Sequence, residues 1–432
     1  MERQYKDSGI EWIGRIPRDW NTTKLGALYT QRNEKVSDKD FPPLSVTMQG
    51  ILPQLETAAK TDDGDNRKLV KKGDFAINSR SDRRGSCGIS PYDGSVSLIN
   101  TILKPRGEMN PKFYNWLFHT SLFADEFYKW GHGIVDDLWT TRWQEMKNIS
   151  VAVPPLVEQQ RISEYLDAKC MEIDKLIALQ DQMIAQLLDY KQSVITEAVI
   201  KGMNPNVHMR DSGIDWIGEI PEHWVLERKL SHICNKGISY GIIKLFDPDD
   251  VNGVKVLRCS DVLEGYINEE KIRTVTKELS QEYKRTILSG GEIVINVRGT
   301  LGGCAVVPNS MRGYNIAREV ALVDTKGINN YYLMYFFLSN AFHNYRNRYL
   351  AGCIYLGLNI EMLSSCPVIM PPLEEQQSIA HYLDTKCSEI DALINIKRQK
   401  IEMLKEYKKS IICEAVTGKT DLRDSSWTSQ AT

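Results

Sequence analysis

PPLVEQQRISEYLDAKCMEIDKLIALQDQMIAQLLDYKQSVITEAV, residues 154–199, returns as PPLEEQQSIAHYLDTKCSEIDALINIKRQKIEMLKEYKKSIICEAV, residues 371–416. The copies align without a gap at an offset of 217, with 27 of 46 positions identical. A shorter repeat precedes each: DSGIEWIGRIPRDW (7–20) and DSGIDWIGEIPEHW (211–224), at an offset of 204. The segments between them match poorly. The order is like, unlike, like, like, unlike, like. Two equivalent frames therefore each hold their own insert, and a repeat of this length settles the architecture before any other reading.

Each long copy reads as one helix. Two prolines precede a run free of Gly and Pro, and Glu158 or Glu374 falls in the first turn, where the helix dipole favours an anion. Leu166, Ile173, Gln180, Leu187 and Val194 recur every seven residues, and Ile162, Lys169, Leu176, Met183 and Tyr190 form a second such row. The later copy repeats both, as Leu383, Ile390, Lys397, Leu404, Ile411 and as Ile379, Lys386, Leu393, Lys400, Tyr407. Interleaved heptad rows predict a coiled-coil seam. Gly202 and Gly418 are the stop signals. A helix of roughly 40 residues spans about 60 Å, which suits a spacer. Gln180, Lys397 and Lys400 are polar members of the predicted seam; they either fix register or let their stems snorkel past it.

A chain of 432 residues exceeds one core and predicts two or three domains. No apolar run reaches membrane-span length, and MERQYKDSGI carries no signal-peptide core, so no membrane association is expected. Nine cysteines without framework spacing point to reduced thiols in a cytoplasm. Cys170 and Cys387 are equivalent in the repeat and are expected to pack as small apolar residues. No His or Cys pair has ligand spacing, so no metal site is expected. The net charge of −2 and pI near 6.4 are not those of a basic nucleic-acid-binding domain. DNA contact would have to come from local basic patches, or be shared with a partner.

The first insert alternates short β-like runs (41–53, 71–80, 88–105) with turns, followed by a helical run, PKFYNWLFHTSLFADEFYKW (111–130). This is an α+β pattern, a mixed sheet with helices to one side. The second insert repeats the outline with other residues. Trp12 and Trp20 flank a predicted Gly14–Pro17 turn and either cover a core edge or touch a ligand.

Three kinds of segment are candidates for DNA contact. NSRSDRRGSCG places Arg80, Arg83 and Arg84 on a turn after a strand, and NVRGTLGGCA places Arg298 at the matching point of the second insert. Arginine pairs bidentately with guanine or phosphate. A loop after the first β-run offers Thr47 and Gln49, against Arg258, Ser260 and Asp261 in the second insert; Gln reads adenine, and Asp accepts from cytosine. Basic residues interleaved with aromatics give Arg142, between Trp139 and Trp143, and Arg346 and Arg348 beside Tyr345. Tyr240 and Lys244 complete the set. The alternative for each is an ordinary solvated loop or a core aromatic.

Signals for catalysis are weak. Pro248-Asp249 with Glu269, Glu270 and Lys271 fits a loose nuclease pattern, but the first insert has no counterpart. Residues 299–303, GTLGG, lack the context of a dinucleotide fingerprint, and there is no Walker loop. None of the three Pro-Pro pairs has the Asp/Asn-Pro-Pro-aromatic form of adenine methyltransferases. No catalytic residue is assigned.

Two unlike inserts alternating with two near-identical helices, with PPLxEQQ leading each helix and WIGxIPxxW opening each half, resemble the specificity (S) subunit of type I restriction–modification systems. The resemblance covers essentially the whole chain. It implies two globular target-recognition domains (1–153 and 203–370), a central helix (154–202), a C-terminal helix (371–418) and a polar tail (419–432). The helices would pair as an antiparallel coiled coil with an internal pseudo-twofold. It further implies a non-catalytic chain that reads a bipartite, asymmetric site on double-stranded DNA. Such a chain docks two adenine-N6 methyltransferase (M) subunits that use S-adenosylmethionine, and through them restriction (R) subunits that use ATP and Mg. Glu158, Gln159, Gln160, Glu375, Gln376 and Gln377 lie where helix meets recognition domain. They are candidates for partner contact, against the alternative of helix capping and domain docking. The rival overall reading is an orphan DNA-binding or scaffold protein without modification partners. Base-reading residues cannot be carried over by motif, so the DNA candidates rest on loop position and residue type alone.

Overall fold

The computed structural model describes residues 3–54, 64–80, 84–133, 139–244, 252–350 and 357–423. The chain forms two compact units, Met1–Gln180 with Gln399–Thr432, and Asp181–Arg398. The central helix spans Leu156–Lys201 and the C-terminal helix Leu373–Val416, so each unit holds one insert, its frame and part of both long helices.

In the first unit, Tyr5–Asp7 pairs antiparallel with Arg15–Pro17. The segment expected as a turn, Gly14–Pro17, is thus mostly strand. The reversal comes earlier: Asp7 and Ser8 accept from the N–H groups of Gly9 and Ile10 at 2.9 and 3.0 Å, and Gly14 closes it at φ 74°. Asn21–Lys24 then pairs with Ser150–Val153, tying the insert's two ends together. The insert is built on a four-stranded antiparallel sheet in the order Cys87–Ile89, Phe75–Asn78, Asn100–Pro105, Tyr29–Arg32. Phe75–Asn78 is buried at every position, so both faces of this strand are covered. On one face lies an aromatic cluster, with Phe118 4.7 Å from Phe75 and 4.5 Å from Phe123 between ring centroids. The helical run expected there is two helices, Pro111–Phe118 and Ser121–Lys129. Thr120 breaks it, because its hydroxyl accepts from the Phe123 N–H at 3.2 Å and caps the second helix.

In the second unit the inserts' dissimilarity in sequence gives way to likeness in topology. Its four-stranded sheet runs Cys304–Val306, Ile293–Asn296, Val320–Val323, Ser239–Tyr240. Numbered along the chain, both sheets have strand order 3-2-4-1. The smaller sheets differ: Gly94–Val96, Arg67–Val70 and Lys35–Val36 are antiparallel, whereas Val254–Leu257 pairs parallel with Asn315–Ile316.

The long helices pair antiparallel inside each unit. In the first, Ile162 and Leu166 share a core with Ala415 and Val416, while farther along the Lys408 ammonium lies 2.6 Å from Asp174. In the second, Val199 and Ala198 share a core with Ile379 and Leu383, and Lys191 lies 2.7 Å from Asp391. The two ion pairs are the same pair of repeat positions. Each acid is half exposed, so such pairs contribute about 0–1 kcal/mol and define register more than stability.

Burial corrects half of the predicted seam. Leu166, Ile173, Gln180, Leu383 and Ile390 are buried, as the first row requires. The second row is not the one expected: beyond Ile162 and Ile379 its members face out, with Leu176, Met183, Tyr190, Leu393 and Tyr407 from 37% to 56% exposed. Its place is taken by Cys170, Ile177, Ile184 and Ala198, and by Cys387, Ile394, Ile401 and Ala415. Lys400 is accordingly off the seam, whereas Lys397 is half-buried, 3.5 Å from the Met183 sulfur. Both second rows mix apolar residues with lysines and flank the first, so only the partner helix selects between them. Cys170 and Cys387 are buried, and burial pushes both thiols up to about 11. Ile394→Ala is expected to cost about 2–4 kcal/mol in urea denaturation, and Leu393→Ala less than about 1 kcal/mol. Equal costs would reinstate the row that includes Leu393.

Candidate nucleic-acid interface

The short repeat and the start of the long helix form one clasp. The Trp20 indole N–H donates to Glu158 at 2.8 Å, in the first turn of the central helix. The Arg3 guanidinium lies 2.5 Å from the other Glu158 oxygen, 5.6 Å from the Trp20 ring, and 3.6 and 3.7 Å from Asp19 and Asp421. Helix dipole, indole and guanidinium together hold a carboxylate that is only 6% exposed. The second unit repeats this with Trp224 donating to Glu375 at 3.0 Å and His223 at 2.7 Å from it. Gln159 accepts from the Asn110 N–H at 2.9 Å and donates to Pro154 O at 2.8 Å; Gln376 does the same with Asn329 and Pro371, both at 2.7 Å. Asn110 caps the helix Pro111–Phe118 of the first insert, and Asn329 caps the helix Asn330–Leu338 of the second. Glu158, Gln159 and Gln376 are therefore buried where helix meets insert, in the arrangement that the capping and docking alternative described. Glu375 is half-buried; Gln160 and Gln377 are exposed.

The clasp also explains the stop glycines. Gly202 and Gly418 both have φ 75°, and a Cβ on either would lie 2.9 Å from the Trp224 or Trp20 ring. Trp20→Phe leaves the buried Glu158 one donor short and is expected to cost about 1–3 kcal/mol in urea denaturation. Trp224→Phe should cost less, since Glu375 is partly hydrated. The reverse order would show that the clasps are not held by these bonds.

In the first insert, Asn78 ends the buried strand and its side chain accepts from the Arg80 N–H at 3.0 Å, starting the basic turn. The Thr141 N–H donates to Ser79 O at 3.0 Å, and Tyr128 donates to Arg80 O at 2.9 Å. Arg80 and Arg142 thus lie on adjoining backbone, both exposed, and neither guanidinium has an ion pair or hydrogen bond among the described residues. Arg84 is less free: it pairs with Asp125 and lies 5.2 Å from the Tyr128 ring. Arg83 falls outside the described residues. The hairpin Leu44–Thr47/Gly50–Pro53 packs on the edge strand so tightly that a Cβ at Gly88 would lie 2.8 Å from Gly50. Thr47 spends its hydroxyl on this turn, donating to Gly50 O at 2.9 Å and accepting from the Gln49 N–H at 3.1 Å. Gln49 and the neighbouring Met48, 72% exposed, are left at the tip.

Asn296 takes the same place in the second insert. Its amide donates to Cys259 O, Val262 O and Thr300 O at 2.9, 3.0 and 3.1 Å, locking the loop at 258–263 to the loop at 297–303. Ser260 and Arg298 are exposed on these loops, and Arg298 lies 5.5 Å from the Tyr240 ring. Asn78 and Asn296 were not singled out from sequence, although the shared Ile-Asn-x-Arg run at 77–80 and 295–298 was the available signal.

Several candidates are occupied. Arg258 and Asp261 pair with each other at 3.0–3.1 Å, and Asp261 is buried, so it does not present a carboxylate to cytosine. Lys244 pairs with Glu282 at 2.5 Å and Arg348 with Asp215 at 3.7 Å. Tyr345 is core, donating to Met362 O at 2.7 Å. Arg346 is half-buried and its Nε has no hydrogen bond among the described residues. Burial, then Arg346, push the His343 imidazole down to about 4. His343 is thus neutral when folded and takes a proton readily only when unfolded. Its contribution is intact above about pH 6.5 and is lost as pH falls toward 4. Relative to His343→Gln, the wild type should lose on the order of 1 kcal/mol more between pH 7 and pH 5 after solvent screening. Parallel pH curves for the two proteins would overturn this.

Among the described residues no group of three or more His, Cys, Asp or Glu is placed to hold a metal, and no helix is long and apolar enough to cross a membrane. Glu269, Glu270 and Lys271 are exposed, and Pro248 and Asp249 fall outside the described residues.

Residues 221–406 match the family model described as the type I restriction modification DNA specificity domain. The chain is 24% identical over 429 residues to the type I restriction enzyme MjaVIII specificity subunit of Methanocaldococcus jannaschii, covering 95% of each protein. It is 24% identical over 281 residues to the EcoBI specificity subunit of Escherichia coli, covering 63% of this chain and 59% of that one. Among solved structures, a chain from a type I R-M system studied for complex assembly and conformational transition superposes with a TM-score of 0.69 at 16% identity, over 94% of this chain and 99% of that chain. The HsdS subunit from Thermoanaerobacter tengcongensis gives 0.51 at 18% identity, over 94% and 98%. The chain is thus similar along its length to type I restriction enzyme specificity subunits, and residues 221–406 match the model of that family's DNA specificity domain.

Proposed function

We propose that this chain is the non-catalytic DNA-reading subunit of a type I restriction–modification complex, and that its two inserts read the two parts of a bipartite, asymmetric target. The observation that carries this reading is a common scaffold with unlike rims. Both inserts share strand order 3-2-4-1, and both raise an exposed arginine two residues after a buried asparagine, Arg80 and Arg298. The neighbouring side chains differ, Gln49 and Arg142 against Ser260 and Tyr240. Equal frames with different reading groups suit two different half-sites. Two linked readers each need only modest affinity, since the second contact is intramolecular.

Partner docking is part of the same proposal. Each unit exposes a leucine and a tyrosine at the same repeat positions of its long helices, Leu176 and Tyr407 in the first and Leu393 and Tyr190 in the second. A cavity of about 690 Å³ adjoins Tyr190, lined also by Val194, Met203 and Tyr382. An exposed Leu and Tyr present once in each unit fit two copies of one partner, here the methyltransferase subunits. Methyl transfer would use S-adenosylmethionine in those subunits; restriction subunits would bring ATP and Mg. The pI near 6.4 is reasonable when partners share the DNA.

The test is to co-express the chain with its methyltransferase subunit in a methylation-free host and map N6-methyladenine across the genome. A single split motif is expected, two short defined parts around a fixed gap. Exchanging residues 21–153 should change one part only. A soluble complex that leaves no methylation would favour the orphan or scaffold reading.

A further inference from the structure

Arg298 differs from the other basic candidates of the second insert in being both fixed and unspent. Its guanidinium lies over the Tyr240 ring, and Tyr240 is itself anchored by donating to Leu358 O at 3.3 Å. A Cβ on Gly357 would lie 3.5 Å from the Arg298 Cγ, so the stem is flanked on that side too. The Arg298 N–H donates to Glu319 O at 3.3 Å, and the three amide bonds of Asn296 hold the turn from below. Among the described residues the Arg298 guanidinium makes no ion pair and no hydrogen bond, unlike Arg258 with Asp261, Lys244 with Glu282 and Arg348 with Asp215. One residue from Glu319 stands Arg318, outside every sequence candidate. Its N–H donates to Ile242 O at 2.9 Å, its side chain is exposed, and it too carries no ion pair among the described residues. Two arginines unpaired among the described residues therefore share one rim of the four-stranded sheet, one stacked on a ring and one with no such ring among the described residues.

We propose a division of labour between them: Arg298 reads the major-groove edge of a guanine in the half-site taken by the second insert, and Arg318 neutralises an adjacent phosphate. This rests on the DNA-reading function proposed above. Base reading needs a planar fork already held in place, because a bidentate bond to guanine O6 and N7 tolerates little angular error and little entropy loss. A phosphate contact is a charge interaction that tolerates a mobile stem.

The experiment uses the full chain in its methyltransferase complex, with methylome mapping and competition binding to duplexes carrying the mapped site. The wild-type motif should hold a G·C pair in the part that follows residues 203–370 on domain exchange. Arg298→Ala should relax the motif at that position, with discrimination against the wrong base falling about ten- to hundred-fold. Arg298→Lys guards against misfolding: it keeps the charge but loses the fork, and should relax the same position. Arg318→Gln should leave the motif unchanged, weaken binding to all duplexes alike and reduce the slope of log K against log salt by about 0.9. An unchanged motif with both Arg298 variants, or no G·C pair in that half-site, overturns the assignment. A motif change with Arg318→Gln overturns the division of labour. A wild-type complex that yields no split motif would instead overturn the DNA-reading function itself.

Discussion

A tryptophan indole bonded to a glutamate in the first turn of a long helix is the interaction on which each half depends. It joins three segments that are far apart in sequence: the short repeat, the first turn of one long helix, and the glycine stop of the other. In the first unit these are Trp20, Glu158 and Gly418; in the second, Trp224, Glu375 and Gly202. Glu158 is tolerable in a buried place because the helix dipole and an indole N–H meet it there. The following glutamine extends the same junction to a helix cap within the insert, Asn110 or Asn329. A recognition insert is thus held to its helix by side chains that belong to the repeat, not to the insert. The insert is left free to vary.

That separation accounts for the contrast between frame and rim. Within each insert, the buried strand ending in Asn78 or Asn296 belongs to the common sheet, and the arginine two residues beyond it, Arg80 or Arg298, is exposed. Asn296 spends three bonds on fastening two loops together, whereas Asn78 shapes the turn at Arg80. The same strand end supports different loops because the asparagine satisfies backbone groups, which every sequence supplies. Changing the exposed side chains leaves that bonding in place.

The helices add a second consequence. Their seam uses small and β-branched residues such as Cys170, Ile394 and Ala415, while larger residues such as Tyr190 and Tyr407 remain outside. Lys191 with Asp391 and Lys408 with Asp174 flank the seam at the same repeat positions, so a slip in register would break both pairs.

The repeats alone determined that there are two equivalent frames, that each carries a long helix, and that the inserts differ, because identity over 46 aligned positions leaves no other reading. Heptad spacing likewise sufficed for the first seam row. The second row was decided only by tertiary packing, since Leu176 and Ile177 are adjacent, both apolar, and separated only by which side the partner helix takes. The same limit governs the site. Arg80 and Arg298 were legible as basic residues on matching turns. Whether an arginine is free or spent depends on a carboxylate brought near by the fold, or one three residues away as for Arg258, and charge in the sequence does not report that pairing. Arg318 escaped notice for the converse reason: it lies in no motif, and only its own N–H bond to Ile242 and the bond of Glu319 with Arg298 bring it to the rim.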